Sequence, residues 1–135
     1  MLKLITNNAE LSEAVKASEL IKGSSLDVLI HVRSLVHFGS KILTHPLCGN
    51  LRPNRQPFRS LIIDEINGLA DLESLSLIEE SVRVYQSCKL INPSELNEFE
   101  RKDYAYIDFE LMRESLGQYG LLKREKISAA PMLLL

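Results

Sequence analysis

With 135 residues, 45% of them hydrophobic and 25% charged, the chain has the size and composition of one globular domain, not of a disordered or fibrous segment. A formal net charge of -2 argues against a general nucleic-acid binder, which needs a basic footprint, and no stretch nears the roughly 20 apolar residues of a membrane span. Two cysteines, Cys48 and Cys88, give neither a disulfide framework nor metal-ligand spacing, so reduced thiols in a cytoplasm are the expectation.

Leu2 to Thr6 reads as a short, apolar strand of the form expected for burial on both faces. The apolar start is too short for a signal peptide. Asn7 and Asn8 follow, in position to cap a helix over Ala9 to Lys16. Ser18 to Lys22 is a weaker second strand, broken by Gly23, Ser24 and Ser25. Ser24-Ser-Leu-Asp27 has the form of a capping box, and Leu26, Val28, Leu29, Val32, Leu35 and Val36 give the helix over 26 to 38 a broad apolar stripe. On its other side Asp27 and His31 can pair at i, i+4, and Arg33 and His37 share that spacing. Gly39 suits the position after the helix end.

Lys41 to Thr44 and Ser60 to Asp64 are the third and fourth strands, with Asn67-Gly68 as a turn. Asp71 can cap a long helix over 72 to 90. Two neighbouring stripes, Leu72, Leu75, Ile78, Val82 and Tyr85 beside Leu77, Val84, Cys88 and Ile91, make its apolar face wider than a surface helix needs. Beyond Asn92-Pro93 the pattern is ambiguous: Tyr104 to Phe109 could form an edge strand and Asp108 to Gly117 a short helix. The end, Ile127 to Leu135, is apolar and could be a tail, an added strand or a dimer contact.

Alternating short strands and amphipathic helices predict an α/β fold. The expectation is a single domain over 1–116 with a mainly parallel sheet of about four strands, helices on its faces, and a helical carboxyl-terminal extension over 117–135. In such sheets ligands collect beyond the carboxyl ends of the strands. Three of those ends carry polar groups: Thr6-Asn7-Asn8, Gly23-Ser24-Ser25, and the loop from Thr44 to Arg59.

That loop allows several chemistries. Arg52, Arg55 and Arg59 can each fork onto a carboxylate or phosphate, with Asn7, Asn8, Ser24, Thr44, His45 and Asn50 to orient a small anionic ligand. The competing reading has the arginines paired with surface carboxylates and the Asn and Ser residues spent on caps. Cys48 with His45 as base could form a thiol nucleophile, but needs a depressed pKa and a hydrogen-bonded geometry that sequence proximity does not supply. His45 and Cys48 alone are too few for a metal site. No G-x-G-x-x-G follows the first strand and no P-loop is present, so no metal or cofactor is expected. Pro46, Pro53 and Pro57 could equally make the loop a rigid surface for a protein partner.

Ile5-Thr-Asn-Asn8, Leu26-Asp-Val-Leu29 with Val32-Arg33, Leu43-Thr-His-Pro-Leu-Cys-Gly49 with Pro53-Asn54 and Pro57, and Leu72-Glu-Ser-Leu75 with Ile78-Glu-Glu80 together resemble the GrdX family. The resemblance covers residues 1 to 90, extends to Tyr106-Ile-Asp-Phe-Glu-Leu111, and is lost from about Gly117; Thr-His-Pro-Leu-x-Gly is its most specific part. It implies a cytoplasmic accessory protein encoded with the glycine, sarcosine and betaine reductase systems of amino-acid-fermenting anaerobes. Reductase components or a second copy of the chain are then the expected protein partners. It implies no catalytic residues, and catalytic turnover is left open.

Overall fold

The computed structural model describes residues 1–47, 52–66 and 68–122. Cys48, Gly49, Asn50, Asn67 and the apolar tail lie outside the described residues, and the readings placed on them stand as expectations. Strands β1 (Leu2–Thr6), β2 (Ser18–Leu20), β3 (Lys41–Ile42) and β4 (Ser60–Asp64) form one sheet in the order β2-β1-β4-β3. Around it lie helices α1 (Ala9–Ala14), α2 (Ser25–His37), α3 (Leu72–Gln86) and α4 (Glu98–Gln118), with single 3-10 turns at Pro53–Arg55 and Pro93–Glu95.

The two central strands explain their own sequences. Successive side chains on a strand point to opposite faces, and here both faces are covered. Ile5, Leu61 and Ile63 pack with Val28, Leu29, Val32 and Val36 of α2 and Ile78, Val82 and Tyr85 of α3. Leu4 and Ile62 pack with Leu11 and Val15 beside α1 and with Phe109, Met112 and Leu116 of α4. A strand buried on both sides has no place for a polar alternation, hence the runs Leu4-Ile5 and Leu61-Ile62-Ile63, while Lys3, nearer the strand start, reaches Glu19.

The sheet is mixed, which corrects the expectation of a mainly parallel one. β1 and β2 are parallel, but β4 runs antiparallel to both β1 and β3. Parallel neighbours need a crossover long enough to carry the chain back across a face of the sheet. The described part of the β3–β4 connection contains only the 3-10 turn at Pro53–Arg55. The chain therefore re-enters the sheet from the edge at which it left.

Two further expectations change. Tyr104 to Phe109 lies inside α4, not in an edge strand. Asn97 and Glu100 form a capping box that starts one continuous helix, and Ala105, Phe109, Met112 and Leu116, at spacings of four, three and four, give it one buried stripe. Asp27 does not pair with His31: its carboxylate accepts from the Ser24 backbone N–H at 2.8 Å, completing the capping box, and His31 meets Glu19 of β2 instead. Arg33 and His37, one turn apart on α2, both approach Glu79 of α3. The first residues of the expected extension belong to the packed structure, since Tyr119, Leu121 and Leu122 join the α1–α4 side of the core. Among the described residues no helix is long and apolar enough to cross a membrane.

Candidate functional site

β1, β2 and β3 all end at the edge where β4 begins, with Thr6 opposite Ser60. The three polar segments singled out in the sequence therefore do lie at one edge of the sheet, and a buried polar cluster joins them.

Asn7 is its first knot. Its side-chain Oδ1 accepts from the Arg59 backbone N–H at 2.8 Å, and its Nδ2 donates to the carbonyls of Gly23 at 3.0 Å and Pro57 at 2.9 Å. Only one orientation of the amide satisfies all three partners. A single side chain thus ties the end of β1 to the loop after β2 and to the entry of β4.

Asn8 is the second knot. It caps α1 by accepting from the Leu11 N–H, and its Nδ2 donates to the Ala105 carbonyl at 3.1 Å and to Asp108 Oδ2 at 3.2 Å. The Asn8 backbone N–H donates to Thr6 Oγ1 at 2.9 Å, and Thr6 Oγ1 and Ser60 Oγ are 2.7 Å apart. Ser60 Oγ donates to Asp108 Oδ2 at 2.7 Å. With Ser60 donating onward, the Thr6 hydroxyl must donate to Ser60, so every hydroxyl proton in the chain Asn8–Thr6–Ser60–Asp108 has one direction.

Arg59 is 3% exposed. Its Nε donates to the Tyr85 hydroxyl at 3.2 Å and its Nη2 to Gln56 Oε1 at 3.0 Å, while the Tyr85 hydroxyl also donates to Gln56. This guanidinium holds the loop to α3 and is not displayed to solvent. Ser24 is spent on capping α2. Thr44 Oγ1 accepts from the Ile62 backbone N–H at 3.0 Å, and His45 Nδ1 accepts from the Leu47 N–H at 3.0 Å with its ring exposed. Arg52 and Arg55, flanking and ending the 3-10 turn, are exposed and make no ion pair with a described residue. Asn50 and Cys48 lie outside the described residues. Cys88, half-buried, falls just past the end of α3.

Sequence reasoning missed Asp108. It is a carboxyl buried at 5% exposure within α4. Burial pushes its pKa up from the usual aspartate value; the hydrogen bonds from Ser60 and Asn8 and the charge of Arg59 pull the other way. The signal was present, because Asp108 sits beside Phe109 in the buried stripe formed with Ala105, Met112 and Leu116, where a lone acid has no packing reason to be. Asp108 also lines a shallow cleft with Arg55, Gln56, Pro57, Phe58, Tyr104, Ile107 and Leu111. The cleft has room for little more than a water molecule. Among the described residues no cluster of His, Cys, Asp and Glu could hold a metal ion.

The family model described as GrdX-like protein matches residues 3–117. No curated protein and no solved structure gave a match.

Proposed function

The chain belongs to the GrdX-like protein family, and from that premise we propose that it is a non-membrane accessory protein that binds a small anionic ligand through the 44–59 loop. Its setting, in this reading, is the cytoplasmic metabolism of glycine, sarcosine and betaine by their reductases. The observation that carries the anion reading is the contrast among the three arginines. Arg59 is buried in a hydrogen-bonded triad with Gln56 and Tyr85, whereas Arg52 and Arg55 stand exposed with no carboxylate partner among the described residues. The buried cluster then serves as the scaffold. Asn7, Asn8, Ser24, Thr44 and Arg59 fix the strand ends, and the two exposed guanidiniums supply the charge. A rigid scaffold under a forked donor reduces the ordering entropy that binding must overcome.

The test is a thermal-shift series with acetate, phosphate and acetyl phosphate on wild type, Arg52→Ala and Arg55→Ala. A ligand at about 100 times its Kd adds roughly 2.7 kcal/mol, which moves the midpoint by several degrees. The expected result is a shift with at least one anion that either substitution reduces. Equal midpoints with and without every anion would sink the reading.

A second reading has its own observation. At the opposite edge of the sheet Phe38, Leu69 and Leu72 are 79%, 97% and 81% exposed, and Met1 and Ile66 stand beside them. A reductase component or a second copy of the chain would cover that surface. Native mass across a concentration range, repeated for Leu69→Ser, separates the two: a mass that stays that of one chain, alone and with reductase components added, removes the second reading.

A further inference from the structure

The cleft beside α4 holds a group that anion binding leaves unused. Asp108 Oδ2 takes both hydrogen bonds offered to the carboxyl, from Ser60 at 2.7 Å and from Asn8 at 3.2 Å. Oδ1 takes none from any described residue, which leaves it as the oxygen available to the cleft that Asp108 lines. An asparagine could accept the same two bonds with its carbonyl oxygen and would bury no ionisable group. A buried acid kept where an amide would serve points to a use for the charge.

The same cleft supplies the other sign. Arg55 lines the same cleft, and its residue is exposed. The interior is water-sized, which is also the size of a primary ammonium head and smaller than a methylated one. Pro57, Phe58, Ile107 and Leu111 strip water from whatever enters, so a charge there interacts more strongly than in bulk solvent.

Resting on the anion reading above, we propose that the ligand is a small zwitterion whose primary ammonium enters this cleft to meet Asp108 Oδ1 while its anionic group stays outside on Arg55. Asp108 is then a specificity residue: it selects amine-bearing anions over plain ones and primary amines over methylated ones. Tyr104 forms part of the rim. The arrangement makes no demand on the chemical type of the anion, which can be a carboxylate or a phosphonate.

Isothermal titration of the full chain near neutral pH tests this with paired probes. β-Alanine is compared with propionate, and aminomethylphosphonate with methylphosphonate. The two pairs also show which anion type the arginines prefer. The amine is expected to tighten binding by about tenfold or more, the scale of one charge-assisted hydrogen bond at about 1.4 kcal/mol per decade. N-acetyl- and N-trimethyl-β-alanine are expected to bind no better than propionate. In Asp108→Asn the amine gain, read as the ratio of β-alanine to propionate affinity and of aminomethylphosphonate to methylphosphonate affinity, should vanish. Equal binding of amine and plain anion to wild type would overturn the proposal and leave the anion site standing, as would a gain that survives Asp108→Asn. No binding of any probe would overturn both. The N-acetyl and N-trimethyl comparison uses wild type alone, so the proposal stays falsifiable if the variant does not fold.

Discussion

Asp108 and Glu19 show how two carboxyls of one chain bend stability in opposite directions with pH. Burial raises the folded-state pKa of Asp108 above 3.8. In the interval above 3.8 the folded state binds more protons than the unfolded one, so this carboxyl's contribution is fully present at lower pH and fades as pH rises through its folded pKa. Glu19 is the reverse: the hydrogen bond from Lys3 Nζ at 2.8 Å, aided by the charges of Lys3 and His31, lowers its pKa from 4.5. Its contribution is present above 4.5 and is lost as pH falls through the folded pKa. Glu19 is 33% exposed, and a pair so open to solvent is worth only about 0.2–1 kcal/mol. Asp108→Asn is expected to stabilise the protein at neutral pH by on the order of 1 kcal/mol, raising the midpoint by about 3–4 °C, and to flatten the fall in stability above pH 3.8. Urea denaturation of both proteins from pH 4 to 8 checks it; a variant less stable at every pH would mean the carboxylate is better compensated than its surroundings indicate. Asn7→Ala should do the opposite. It strands the Gly23 and Pro57 carbonyls and the Arg59 N–H, and at about 1–3 kcal/mol for each buried group left without a partner the loss should reach at least 2 kcal/mol in the same assay. The sequence marked Asn7 and Asn8 as either caps or ligand groups. It could not choose, because the deciding partners, Pro57, Arg59 and Asp108, are some 50 to 100 residues away.

The helix ends are where local sequence and local structure agree best. Both α2 and α4 finish with the same pattern: Ser40 N–H bonds to Leu35 O and Gly39 N–H to Val36 O, as Leu121 N–H bonds to Leu116 O and Gly120 N–H to Gly117 O. Each places a glycine at positive φ, +108° at Gly39 and +70° at Gly120, the ending that satisfies the last free carbonyls. Their surroundings differ. A Cβ on Gly39 would lie 2.7 Å from the Ile66 carbonyl oxygen and 2.9 Å from the backbone of Gly68, while nothing lies within 4 Å of one on Gly120. Gly120→Ala should therefore cost only the backbone strain, about 1–2 kcal/mol. Gly39→Ala adds a backbone collision and should cost more than about 3 kcal/mol. Equal urea midpoints for the two variants would refute the distinction. The capping box at Ser24, the cap at Asp71 and the stripe of α2 were legible because their determinants lie within one or two turns. The direction of β4 was not, because β-strand composition is the same in a parallel or antiparallel pair. Only the β3–β4 connection, whose described residues hold no α-helix, carried that information.

The sheet divides the molecule into two layers of unequal strength, and the candidate site lies on the weaker. Among the described residues, α2 and α3 bury a layer of eleven core residues with the strands, and α1 and α4 a layer of eight. α4, though 21 residues long, buries only Ala105, Asp108, Phe109, Met112 and Leu116, one of them an acid. Much of its amino-terminal half is tied down by polar links: Asn8 to Ala105 and Asp108, Ser60 to Asp108, and Arg101 to Glu10 at 3.3 Å. Such links contribute about 0.5–1.5 kcal/mol each, less than the packing of a large apolar side chain. Local opening follows the weakest layer, so α4 amides are expected to exchange with solvent at a lower free energy than those of α2 and α3. This placement fits a binding role. A zwitterion held between Arg55 on the loop and Asp108 on α4 bridges the two parts that separate in that opening. Binding then stabilises the closed form by RT ln(1 + [L]/Kd), and saturating β-alanine should slow exchange over 98–112 while leaving α2 and α3 unchanged. Hydrogen-exchange mass spectrometry with and without the probe reads this directly. Uniform slowing across both layers would place the ligand's effect on global unfolding and away from the α4 seam. Unchanged exchange at α4 with the probe demonstrably bound would mean that the ligand does not touch Asp108.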